Sequence, residues 1–267
     1  MAINLDELIS DLRTIAPREL DEEWDNGGFQ INMGKKEINK ILVSLEITKD
    51  VIEEASELGV DFIVTHHPLI FKKLDVIDAT TITGNYIIQL INKGITVYSA
   101  HTSFDSVFGG NNDYLAELLG LQKVMRLKLW TPHGSREQIG RMGILKKPLT
   151  LSKVTDLVKE KLNLNETFRI VGHPNDNIKT VAVCTGAGGD SLEAVIKSKC
   201  DLYITGEISH HEAQMAKEIG LSIIVVGHYA SEYIFIKNFA DKLRKQTEEQ
   251  VEILESNVIV NPFEYVL

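Results

Sequence analysis

Asn4 stands before Leu5, Leu8, Ile9, Leu12 and Ile15, a three-and-four spacing that lays one apolar stripe along a capped helix ending before Pro17. Residues 40–47 then read as a strand. Val51, Ile52, Ala55 and Leu58 return to helical spacing, which Gly59 closes. The apolar run 60–65 has the length of a buried strand, 82–92 reads as a helix, and Gly94 opens another strand over 95–100. Pro132 and Gly134, among polar neighbours, mark a turn. Beyond it the alternation resumes, with a helix over 152–162, a strand over 181–185 and a helix over 192–197. Strands alternating with helices predict largely parallel sheets. The turn divides the chain into an N-terminal half, 1–126, and a C-terminal half, 127–267.

The halves resemble each other. In the first, Asp61-Phe-Ile-Val-Thr65 runs into His66-His67, and a strand ending at Ala100 runs into His101-Thr-Ser-Phe-Asp105. In the second, Asp201-Leu-Tyr-Ile-Thr205 leads to Gly206-Glu207 and then His210-His211, and another strand leads to His228-Tyr-Ala-Ser-Glu232. Each half thus supplies one strand of the form Asp-x-x-x-Thr and another running into His-x-x-x-carboxylate. The expected fold class is α/β, with two similar, duplicated halves, mostly parallel sheets, and polar residues collected at strand C-terminal ends.

Those ends carry metal-binding chemistry. Imidazole and carboxylate suit borderline divalent ions. Successive residues of a strand face opposite sides, so adjacent His66 and His67 more naturally serve two ions, and Pro68 ends the strand there. Asp105 and Glu232 fit as anionic partners, one from each half, and a carboxylate that bridges two ions sets them roughly 3.5 to 4 Å apart. His228 and Glu232 are four apart and share a face if a helix begins between them. The expected ligands are therefore His66, His67, Asp105, His228 and Glu232, in a metal site between the halves. His101 is placed behind the ligands or in proton transfer, and His133 and His173 lack such company.

Composition narrows the partners. Lys and Arg total 28 against 38 Asp and Glu, a net charge of −10, which argues against nucleic acid and anionic membranes. No apolar run approaches the roughly 20 residues that cross a bilayer. Cys184 and Cys200 sit in apolar runs and are too few for a disulfide framework. With no leader pattern at the N-terminus, the expected location is cytoplasmic.

Thr65-His-His-Pro68, Ser99-Ala-His-Thr-Ser-Phe-Asp105, Val226-Gly-His-Tyr-Ala-Ser-Glu232 and Trp24-Asp-Asn-Gly-Gly-Phe-Gln30 together resemble the Nif-three-like dinuclear metal centre family. The likeness spans essentially the whole chain, and its members are often labelled GTP cyclohydrolase 1 type 2 homologues. It implies two divalent ions on the same five ligands and a toroidal homohexamer with sites facing an internal cavity. Zinc, iron and manganese all suit the donor set.

Hydrolysis is the natural output of such a site. For a small-molecule substrate such as GTP, water would add at C8 of the guanine ring and formate would leave, with His101, His210 and His211 as available proton shuttles. Glu207 is either a further base or a structural partner of His210 and His211. The glycine-rich stretch 186–191 is either a phosphate cradle or a tight strand-to-helix turn. Two other readings compete: a phosphohydrolase acting on another small molecule, and a noncatalytic metal-binding or interaction protein.

Overall fold

The computed structural model describes residues 2–131, 134–164 and 168–264. The chain forms two compact units, one built from residues up to Val107 together with Phe235–Pro262, the other from Phe108–Ile234 together with the segment that begins at Phe263. The expected division near residue 126 is thus displaced, and physical pairing explains why. Helix Ile234–Gln246 puts Phe235 and Phe239 against Phe104, with ring centroids 5.4 and 4.9 Å away, and strand Glu252–Glu255 pairs in parallel with Lys40–Ser44. Strands Gln122–Thr131 and Gly134–Thr150, which flank the expected turn in sequence, pair antiparallel inside the second unit. Pro132 and His133 lie outside the described residues.

In the first unit, helix Leu5–Ile15 is capped by the Asn4 carboxamide, which accepts the Asp6 N–H at 2.9 Å. The helix buries Leu8, Leu12 and Ile15 as the spacing predicts. Strands Lys40–Ser44, Phe62–Thr65 and Thr96–Ser99 run parallel in register, so that Ser44, Thr65 and Ser99 stand level at their C-terminal ends. Glu252–Glu255 joins one edge in parallel, and Gly28–Ile31 closes the other antiparallel, giving a five-stranded sheet.

The second unit repeats the plan. Strands Asn177–Ala187, Leu202–Glu207 and Ser222–Val225 run parallel, with antiparallel Arg169–Val171 beyond the third. The long hairpin extends the other side, so this six-stranded sheet is mixed where the first is mostly parallel. Val181, Val183, Leu202 and Ile204 pack into one core while Ala182, Cys184, Tyr203 and Ile223 pack into another. Alternate residues of one sheet thus bury both faces, and its central strands read as unbroken apolar runs.

The duplicated Asp-x-x-x-Thr motif has the same hydrogen bonds in each unit. The Asp61 N–H donates to Lys40 O, and the Asp61 carbonyl accepts from Thr96 N, each at 3.0 Å. Asp201 does the same with Thr180 O at 3.0 Å and Ser222 N at 3.1 Å. Each carboxylate also accepts backbone N–H groups where the neighbouring strand begins, from Asn39 and from Lys179 and Thr180. At the far end the Thr65 and Thr205 carbonyls accept from Ala100 and Val226 at 2.8 and 2.9 Å. These pins hold three parallel strands level, with the expected site residues following just past their ends.

No helix among the described residues is long and apolar enough to cross a membrane. Both cysteines are free and buried, and burial pushes the Cys200 thiol up to about 12.

Candidate metal centre

In the first unit the strand stops at Thr65, so the alternation expected to send His66 and His67 to opposite faces does not apply. Both backbone N–H groups donate to Leu45 O, at 3.1 and 2.9 Å, and the two rings lie 5.1 Å apart on one side. Hydroxyls at the strand ends shape this corner: Thr65 Oγ1 donates to the His67 carbonyl at 2.9 Å and lies 2.8 Å from Ser99 Oγ. One donor atom from each of His66, His67 and His101 falls within 4.8 Å of the others.

Two of these imidazoles are oriented from behind. His66 is fully buried, its ring 4.9 Å from that of Phe235, and its Nδ1–H donates to the Ala100 carbonyl at 3.1 Å. That bond assigns the proton to Nδ1 and leaves Nε2 with a lone pair, the arrangement found in metal-ligating histidines. Nε2 faces Asp105 Oδ2 at 3.6 Å. The donor set fits a divalent cation: imidazole nitrogens and a carboxylate, partly buried, with the His66 ring held in orientation by its backbone bond.

His101 is fixed in the same way by a carboxylate. Its Nδ1 lies 2.8 Å from Asp25 Oδ1, while Asp25 Oδ2 accepts the Thr102 N–H at 3.1 Å and the Thr102 hydroxyl at 2.5 Å. Burial opposes ionisation of Asp25, but the bonds from His101 and Thr102 outweigh it and hold the carboxyl at about 2. Asp25 was not singled out from the sequence, although it lies in the Trp24-Asp-Asn-Gly-Gly motif. His101 and Asp105 share the expected spacing but turn to different partners, the first to Asp25 and the second to His66.

In the second unit His228 opens the short helix His228–Glu232, and its Nε2 lies 3.0 Å from Glu232 Oε2, as the four-residue spacing predicts. Glu207 Oε2 approaches His228 Nδ1 at 3.4 Å. The hydrogen bond that His228 donates to Glu232, opposed by burial and aided by both carboxylate charges, raises His228 to about 9. Glu207 is therefore a partner of His228, where the sequence left it either a further base or a structural partner of His210 and His211. Those two histidines are exposed in the first turn of helix His210–Ile219, ring centroids 5.5 Å apart, where Ser209 and Glu212 form a capping box. Among the described residues neither joins a group of converging metal donors.

The glycine-rich stretch 186–191 runs from the end of strand Asn177–Ala187 into a 3-10 helix over Gly189–Ser191. The Gly186 N–H donates to Ser231 Oγ at 2.9 Å, Gly188 N–H to Glu207 O at 3.2 Å and Ser191 N–H to Gly188 O at 3.1 Å, so these groups are committed within the fold. A side chain at Gly186, where φ is +66°, would run into the Glu232 carboxylate. Glycine here makes room for a candidate ligand.

The profile of a family described as Duf34/NIF3 (NGG1p interacting factor 3) matches residues 3–262. A Clostridium perfringens relative named GTP cyclohydrolase 1 type 2 homolog is 38% identical over 264 residues, covering 99% of this chain and 100% of that one. A solved Bacillus cereus protein related to NIF3 shares the fold at a TM-score of 0.90 over 99% of both chains, with 24% identity. Reduced HcgD from Methanocaldococcus jannaschii superposes at 0.79 with 31% identity, over 97% of this chain and 99% of that one.

Proposed function

The chain belongs to the Duf34/NIF3 family, and from that premise we propose that it is a dinuclear metal-dependent hydrolase acting on a nucleotide, with GTP as the first candidate. The observation that carries this reading is the convergence of His66, His67 and His101 donor atoms within 4.8 Å, with His66 Nδ1 committed to a backbone carbonyl. His66, His67, Asp105, His228 and Glu232 would hold two divalent ions drawn from zinc, iron and manganese. Bound there, such ions supply Lewis acidity and make hydroxide available near neutral pH.

The protein's own residues do the rest. Asp25 keeps the His101 proton on Nδ1, which leaves Nε2 as a base able to take a proton from attacking water and return it to the departing nitrogen. Hydrolysis at C8 of guanine opens the imidazole ring, and a second hydrolysis releases that carbon as formate. The name carried by the Clostridium perfringens relative supports this choice of substrate. We carry forward two further expectations, a homohexamer and a cytoplasmic location. Incubating the metallated protein with GTP tests the activity. Formate release that chelation abolishes supports it, whereas intact GTP after prolonged incubation removes it.

A further inference from the structure

A groove of about 970 Å³ opens in the first unit, and Asp25 belongs to its lining. Trp24 and Phe71, also in the lining, stand edge-on to the His101 ring at 5.9 and 6.3 Å and to each other at 6.0 Å. The groove is therefore continuous with the imidazole cluster. Ile77, Ile87 and Ile91 give it apolar walls, and its volume is at the upper end of the range for small-molecule sites.

One wall is held in place by the fold. The Asn26 carboxamide donates to Ile70 O at 2.7 Å, and Ile70 N–H donates to Gln30 Oε1 at 3.0 Å, which pins the start of the segment carrying Phe71, Leu74 and Ile77. Its other end is tied by Asp78, whose carboxylate accepts Thr80 N–H at 2.8 Å and whose carbonyl accepts the Thr81 hydroxyl at 2.8 Å. Between these anchors Phe71 is 53% exposed and Ile77 52%, large apolar side chains held in water along the groove.

The polar groups in the lining are mixed in kind. Asn26 spends its amide nitrogen on Ile70, and Asn32 spends its amide oxygen on Gly34 N–H at 2.8 Å. One carboxamide thus keeps an acceptor and the other a donor. Lys73 adds a cation. We infer that this groove binds the substrate's planar heterocycle, a purine-type base with both N–H and C=O groups on its edge, and delivers it to His101. The inference rests on the nucleotide reading above, and it adds a binding site distinct from the metal ligands.

Isothermal titration of the metal-depleted full-length protein tests it, with guanosine, GTP and inorganic triphosphate as probes. Guanosine and GTP are expected to bind and to compete with each other, while triphosphate displaces neither. Ile77→Arg and Leu74→Arg, both at exposed positions, should each weaken guanosine binding at least tenfold, while the same variants as purified, before depletion, carry the wild-type metal content. Guanosine binding undiminished in both variants overturns the inference, as does its absence in the wild type. A change of oligomeric state in Ile77→Arg, with no guanosine bound by the wild type, would make the groove an interface between copies and also overturn it. The two readings fail separately. Guanosine binding that depends on Ile77 together with GTP left intact by the metallated protein removes only the hydrolase, and GTP turnover with an unchanged KM in both variants removes only the groove.

Discussion

The two orienting bonds on His66 and His101 differ in kind, and so do their consequences. A backbone carbonyl behind His66 cannot be mutated away, but the carboxylate behind His101 can. Asp25→Asn replaces an anionic acceptor with a neutral amide able to donate to Nδ1, which would move the proton to Nε2 and remove the base. We predict that formate release by Asp25→Asn falls on the order of a hundredfold or more while metal content holds. Unchanged turnover would show that Asp25 does not act through His101. His228 offers a second test at this scale. Its folded value of about 9 lies above its ordinary 6.5, so in metal-depleted protein its pairing with Glu232 stabilises the fold fully below pH 6.5, and this contribution is lost as pH rises through 9. Ring-proton titration by NMR should find His228 well above 6.5, and Glu232→Gln should bring it down. An unshifted His228 in the metal-depleted wild type contradicts the pairing.

Helix Ile234–Gln246 shows best what connects the elements. It follows directly on His228–Glu232 in the chain, yet its aromatic face belongs to the first unit, where Phe235 is fully buried against His66 and Phe104. Phe235→Ala should cost about 3–5 kcal/mol in urea unfolding, because the aromatic cluster cannot collapse to refill the space. A loss under about 1 kcal/mol would mean the helix is not part of that core. Elements with local signals were legible in the sequence: the stripe from Leu5 to Ile15, the Asn4 cap, and the parallel strands that carry the Asp-x-x-x-Thr motifs, Phe62–Thr65 and Leu202–Glu207. Contacts between distant segments were not. Nothing in the periodicity of residues 252–255 says that they pair with 40–43, and Asp25 and His101 meet across 76 residues. The candidate ligands stood out because their motifs repeat between the halves. Asp25 has no counterpart of that kind, and the role of Glu207 was obscured because the nearer histidines in sequence, His210 and His211, are not its partners.

At the scale of the whole molecule, duplication supplies each unit with its own donors at the same place, past the C-terminal ends of three level parallel strands. Of the proposed ligands, His66, His67 and Asp105 lie in the first unit, where His66 faces Asp105, and His228 and Glu232 lie in the second, where they face each other. A net charge of −10 favours accumulation of cations over nucleic acid. The central claim is that these five side chains act together on a pair of divalent ions. The most direct test is elemental analysis by mass spectrometry of the purified full-length chain beside its His66→Ala and Glu232→Gln variants. We predict about two divalent ions per chain in the wild type, as hydrolytic two-metal sites require, and a clear loss in each variant. A wild-type chain purified without chelators that carries no divalent ion, and takes none up on addition of zinc, iron or manganese, would contradict the account.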